Sequence, residues 1–247
     1  MKNPLKPFIL ITLLLFTAAS KAGTFDCTLV APAKDAPLIT FTVGFNESDT
    51  RFLYVQCILN RALHRLGYRA ELLAGPVGRE LFDVVEGRAD AIAATTAQKM
   101  WPIEVDNLIR LESSFVEVTN VVFTRKGVPT PSTWQELAES GLRIVMARHH
   151  TSAQAYLAKA NTLDVEGVDQ AVQVFLAGRA DALVSFEANE EIQMRKELST
   201  ADINPAETLS VSPLYTFVNK RFEAIVPAMN EAIQAEIAVH LWNFHDK

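Results

Sequence analysis

Three short stretches of this 247-residue chain bring hydroxyl, charged and aromatic side chains close together. Thr95, Thr96, Lys99 and Trp101 form the first stretch, Arg148, His149, His150, Thr151 and Ser152 the second, and Ser185, Phe186 and Glu187 the third. Such groups suit recognition of a small polar molecule. Lys99 and Glu187 supply opposite charges, the hydroxyls supply hydrogen bonds, and Trp101 or Phe186 covers an apolar part. Thr151 and Ser152 stand where a helical pattern begins, and free amides and the helix dipole there favour an anion, with His149 or His150 beside it. Arg79 follows Gly75-Pro76-Val77-Gly78 at the start of another helical stretch. A cation there works against the dipole, which makes it a contact candidate. The glycines before it lack Walker spacing, so they form a turn rather than a phosphate loop. No Ser-His-Asp or Cys-His pattern accompanies these groups, so no catalytic residue is assigned. Adjacent histidines do not have metal-ligand spacing, and His64, His240 and His245 are scattered. Neither a metal nor a cofactor is expected.

The N-terminal segment reads as an export signal. Lys2 and Lys6 precede the apolar run Phe8 to Phe16, and Ser20-Lys21-Ala22 places small residues where a signal peptidase reads them. The run is far shorter than the ~20 apolar residues that cross a bilayer. Residues 1–22 are expected to be removed, leaving a periplasmic protein with no membrane insertion. Their loss takes three lysines and no acid, so the mature chain is more negative than the formal −6 of the whole. That balance argues against nucleic acid as a partner. Two cysteines are left for an oxidising compartment. Cys57 falls opposite the apolar stripe of Phe52, Val55, Leu59, Ala62, Leu63 and Leu66, so it is expected to face outward. An outward thiol there needs a partner, and Cys27 is the one available.

What positions the candidate groups is an internal repeat. Residues 80–96 read ELFDVVEGRADAIAATT and residues 170–187 read QAVQVFLAGRADALVSFE, sharing Gly-Arg-Ala-Asp-Ala at Gly87–Ala91 and Gly178–Ala182. In each copy an amphipathic helix ends at a glycine suited to a left-handed cap, and an apolar run then reads as a buried parallel strand. The copies are expected to be equivalent units of two similar lobes. A strand at Ile39–Phe45, a helix at Arg51–Leu66 and a strand at Tyr68–Leu73 complete the first βαβαβ unit. Val116–Arg125 reads as a strand crossing between lobes. A helix from Ser132 or Thr133 to Glu139, strands at Leu142–Ala147 and Thr162–Val165, and a helix at Thr151–Ala160 build the second unit. Glu187–Leu198 reads as a further helix. Thr208–Asn219 returns the chain to a last helix carrying Ile225, Met229, Ala232, Ile233, Ile237 and Leu241, in which Pro227 must lie in the first turn.

The order of these elements, with Arg65-Leu66-Gly67-Tyr68, the two repeat strings, Val121-Val122-Phe123-Thr124-Arg125-Lys126-Gly127 and Thr133-Trp134-Gln135-Glu136-Leu137, resembles the type 2 periplasmic solute-binding proteins of the amino-acid-binding kind, family 3. The resemblance spans residues 38–240. It implies an α/β fold of two lobes, each a Rossmann-like, mostly parallel sheet flanked by helices. Residues 38–120 with 207–247 would form lobe one, and 125–205 lobe two. It further implies a monomer that captures a small polar or zwitterionic ligand between the lobes and serves an ABC permease or a sensor kinase. Some relatives act as dehydratases, so an enzyme on the same scaffold is the alternative, and a sensor or interaction partner with a degenerate cleft is a third. Ligands of open α/β sheets bind beyond the carboxyl ends of the strands. This places Thr95, Thr96, Ser185, Phe186 and Glu187 at one cleft, with Phe45, Asn46 and Glu47 as further candidates. The family holds an amino acid by an Arg after the lobe-one strand and an Asp ending the lobe-two strand. Here those regions carry Lys99 and Phe186-Glu187, so the amino-acid clamp is not intact. Lysine lacks the bidentate fork of a guanidinium.

Overall fold

The computed structural model describes residues 27–31, 33–47, 49–96, 105–186 and 196–240. Residues 1–22, expected above to be removed, Lys99, Trp101, Glu187 with most of the helix expected over Glu187–Leu198, and Leu241 lie outside the described residues. The first unit runs β1 (Leu38–Val43), α1 (Thr50–Arg65), β2 (Arg69–Ala74), α2 (Glu80–Val85) and β3 (Ala91–Thr95). A long strand, β4 (Leu108–Thr124), leads through α3 (Trp134–Glu139) into the second unit. That unit comprises β5 (Ile144–Ala147), α4 (Thr151–Leu157), β6 (Thr162–Val165), α5 (Val168–Leu176) and β7 (Ala182–Phe186). A short helix, α6 (Lys196–Thr200), precedes the return strand β8 (Glu207–Asn219). A 3-10 turn then leads to α7 (Val226–Val239), with Pro227 in its first turn. No helix among the described residues is long and apolar enough to cross a membrane.

The hydrogen-bonded strand order is β2-β1-β3-β8-β4-β7-β5-β6. β1 pairs in parallel with β2 and β3, and β5 in parallel with β6 and β7, so the two repeat units have the same local topology. The antiparallel pair β8–β4 lies between them and makes one continuous sheet. Each half is covered on both faces. Phe41, Ile58, Leu59, Met229 and Ile233 fill one side of the first half, and Leu81, Ile92 and Phe217 the other. In the second half, side chains alternate along each strand, as a pleated strand requires. Ile144, Met146 and Val184 join Trp134 and Leu157 on one face, while Val145 and Leu183 join Val172 and Phe175 on the other. Removing a side chain such as Phe41 or Phe175 from water contributes about 1.5–3 kcal/mol. The result is a two-lobed α/β fold with Rossmann-like halves.

The repeated Gly-Arg-Ala-Asp string has a structural role in both copies. Gly87 and Gly178 take φ of 74° and 76°, the left-handed conformation that ends a helix. Each following aspartate ties its strand to the neighbouring first strand. Asp90 Oδ2 accepts from the Thr40 amide at 3.0 Å, and Asp181 Oδ2 from the Arg143 amide at 3.0 Å. An arginine then closes each knot, Arg221 on Asp90 and Arg143 on Asp181.

Two sequence expectations are corrected. The crossing strand begins at Leu108, not Val116. The polar Glu112-Ser113-Ser114 run hides its first part, and the ladder passes through it by register shifts. Asn230 of α7 accepts from the Glu112 and Ser113 amides at 3.0 and 3.3 Å, so the irregular backbone is satisfied by a distant helix. The second correction concerns Cys57, which is fully buried rather than outward-facing. The Cys27–Cys57 disulfide is present, with a Cα–Cα separation of 6.0 Å. The segment beginning at Cys27 covers that side of α1. Asn60 fastens it by accepting from the Val30 amide at 2.8 Å and donating to its carbonyl at 3.2 Å.

Candidate functional site

The carboxyl ends of β1, β3, β5 and β7 open on one cavity of about 430 Å³. Lobe one contributes Gly44, Phe45 and Asn46 after β1, Asp49 and Arg51 at the start of α1, Val77, Gly78 and Glu80 before and at the start of α2, and Thr95 and Thr96 at the end of β3. Lobe two contributes His149, His150 and Thr151 around the start of α4, Glu166 to Asp169 before α5, and Ser185 and Phe186 from β7. Val118 of β4 and Leu214 of β8 line it from the two long strands. The two sides of the cavity also come close at Gly78: a Cβ built there would lie 3.4 Å from His149 Nδ1, and Gly78 has φ of 85°.

Of the candidates named from sequence, Thr95, Thr96, His149, His150, Thr151, Ser185, Phe186, Phe45 and Asn46 line the cavity, and Glu47 does not. Ser152 is buried and Arg79 exposed, and neither lines it. The Arg79 guanidinium lies 3.6 Å from Asp83, four residues along α2, which accounts for a cation at that helix start. Two of the amides on which an anion at α4 would rest are already engaged. The Ala153 amide donates to His150 Nδ1 at 3.2 Å and the Thr151 amide to the His149 carbonyl at 2.9 Å. Trp134 is a core residue, with its indole donating to Ser210 Oγ at 3.0 Å. Among the described residues no cluster of metal-ligating side chains occurs.

His150 is the most enclosed of these groups, only 2% exposed. Its ring stacks on Phe186 with centroids 4.0 Å apart and planes within 15°. Burial pulls its pKa down to about 4, so the imidazole is neutral near pH 7. With Nδ1 accepting the Ala153 amide, the neutral ring carries its hydrogen on Nε2.

Glu80 and Arg51 line the cavity and were not singled out from sequence. Arg51 is held by Asp49, which also caps α1 by accepting the Arg51 amide at 2.8 Å. The guanidinium lies over the Phe45 ring at 4.5 Å. Glu80 is 9% exposed and sits against Gly44 and Thr95. Burial pushes its carboxyl above the usual carboxylate range, opposed by hydrogen bonds from its own amide, the Gly78 amide and the Thr95 hydroxyl, and reinforced by Asp83. Among the described residues nothing donates to its Oε2, and none pairs with the Ser185 hydroxyl across the cavity. A buried polar atom in that state costs free energy unless something completes it. The signal for Glu80 lay in the repeat. When Asp90 is set on Asp181, Glu80 falls on Ala171, a small buried residue that lines the same cavity from the other lobe.

No protein-family model matches the chain, and no curated protein matches it. Solved structures do resemble it. An arginine-bound mutant of ArgBP from T. maritima superposes with a TM-score of 0.58 at 14% identity, covering 81% of this chain and 96% of that one. The amino acid ABC transporter substrate-binding protein AbpA from Streptococcus pneumoniae, bound to L-arginine, gives 0.57 at 13% identity over 83% and 91%. An ancestral amino acid-binding protein described as a precursor of cyclohexadienyl dehydratase gives 0.57 at 14% identity over 82% and 89%. At such identities the likeness establishes the fold, that of the type 2 periplasmic binding proteins.

Proposed function

We propose that this chain is an exported solute-binding protein that takes a small polar molecule between its lobes and presents it to an ABC permease or a sensor kinase. One observation carries the reading. The strand ends of both lobes wall a cavity of about 430 Å³, within the range of small-molecule sites, in which buried polar atoms have unused hydrogen-bonding capacity. The binding proteins named above, among them two with arginine bound, support it. In this reading residues 38–120 with 207–247 form one lobe and 125–205 the other. Thr95, Thr96, His150, Thr151 and Phe186 contact the ligand together with Glu80 and Ser185. Lys99, Trp101 and Glu187 are sequence-level candidates for the same cleft. Binding without turnover is the expected behaviour.

The test is a thermal-shift screen of residues 23–247 with amino acids, organic acids, polyamines and sugars. Anything that binds the native state alone raises the apparent Tm by mass action, about 2.7 kcal/mol of stabilisation at one hundred times Kd. At least one class is expected to raise it in a saturable way. No shift with any class would overturn the reading.

A further inference from the structure

We infer that the ligand is a small organic cation, whose protonated amine or amidine docks on Glu80 and whose body lies against Phe186. The inference rests on the binding reading above and names the ligand chemistry. Charge on the cavity wall is the first argument. Among the described lining residues the acids are Asp49, Glu80, Glu166 and Asp169, and the permanent cation is Arg51. Arg51 is bound on two nitrogens by Asp49 and covered by the Phe45 ring, so its charge is spent. Glu166 lies 3.4 Å from Arg148 on the exposed rim. By formal charge the described wall is negative, and a concave wall of one sign concentrates the opposite ion.

Unused hydrogen bonding is the second argument. Glu80 is nine-tenths buried, and its Oε2 has capacity for a donor that the described residues do not supply. Ser185 Oγ, from the other lobe, has the same capacity, and a hydroxyl oxygen accepts from an ammonium or amidinium. Of the donors an anion would use, the Thr151 amide is engaged on the His149 carbonyl, the Ala153 amide on His150 and the Arg51 guanidinium on Asp49, while the uncharged His150 Nε2 is without a partner among the described residues. The neutral imidazole of His150, stacked on Phe186, adds no cation. An aromatic wall suits either the alkyl body of an amine or its charge.

The repeat supplies the third argument. The packing place that Ala171 fills in lobe two holds a carboxylate in lobe one, at a desolvation cost that alanine avoids. A group that weakens the unliganded fold and faces a cavity is explained by what it binds.

The experiment is calorimetric titration of residues 23–247 with putrescine, agmatine, L-arginine, succinate and glucose, repeated on Glu80→Gln. Putrescine or agmatine is expected to bind, succinate and glucose not to. Glu80→Gln should weaken the bound cation by about 10- to 100-fold, the effect of losing a charge-assisted hydrogen bond. The unliganded Tm of Glu80→Gln should equal or exceed that of the parent, whereas a purely structural glutamate would lower it. Succinate or glucose binding more tightly than every cation would overturn the cation assignment and leave the binding function standing. Parental affinity for the cation in Glu80→Gln would overturn the role of Glu80. Silence from all five probes together with the thermal screen would overturn the binding reading itself.

Discussion

His150 and Phe186 stack face to face across the start of α4 and the end of β7, with ring centroids 4.0 Å apart. Phe186 also packs against the core of lobe one, so the pair links the interiors of both lobes at the cavity. The stack keeps water from the imidazole and thereby sets how it titrates.

Acid should therefore weaken the fold through His150. Its pKa is lowered from 6.5 to about 4 on folding, so the unfolded chain binds more protons than the native one between those values. Stability from this group is complete above pH 6.5 and falls as pH drops, by about 3 kcal/mol on reaching pH 4. His150→Asn keeps an acceptor for the Ala153 amide and removes the titration. Urea unfolding at pH 7 and pH 5 should show a smaller difference in the variant than in the parent. Equal differences would place the acid sensitivity elsewhere.

The two repeat aspartates should act on stability and not on ligand. Asp90 and Asp181 each accept a backbone amide of the adjacent strand and an arginine, at the end of the sheet away from the cavity. Asp90→Ala and Asp181→Ala should each cost about 1 kcal/mol, the worth of such hydrogen bonds after screening of the exposed arginine. Titration with the ligand found in the screen should give an unchanged Kd.

Reduction should loosen the N-terminus. The Cys27–Cys57 bridge closes a loop of sequence separation 30, which on the chain-entropy model stabilises by about 3–4 kcal/mol. Cys27→Ser should lower the urea midpoint accordingly. Hydrogen exchange should then show the Val30 amide, held by Asn60, losing protection before the strands do.

Gly78 should govern how closely the lobes meet. A side chain there is strained by φ of 85° and approaches His149. Gly78→Ala is expected to cost about 1 kcal/mol in the fold. It should also weaken binding, and Gly78→Ala with His149→Ala should recover the binding loss but not the strain. A double-mutant cycle on Kd and Tm separates the two effects.

By itself the sequence determined the elements and their repetition. Gly87 and Gly178 end helices because a left-handed residue is a local requirement, and Ala91–Ala94 and Ala182–Val184 after them are wholly apolar and so read as buried strands. Strand direction then carried Thr95 and Phe186 to the cavity without any contact information. What only the tertiary structure decided was burial, which belongs to neighbours distant in the chain. Cys57 reads as outward on its own helix and is covered by the segment at Cys27. Ser114 reads as a break and is absorbed by β8, its hydroxyl donating to the Leu214 carbonyl at 2.9 Å. Glu80 reads as an ordinary acid at a helix start, favourable there through the dipole. Only the packing of Gly44, Thr95 and Gly78 around it turns that surface-like residue into a buried carboxylate facing a cavity, because desolvation is set by the enclosing fold and not by the residue's place in the sequence.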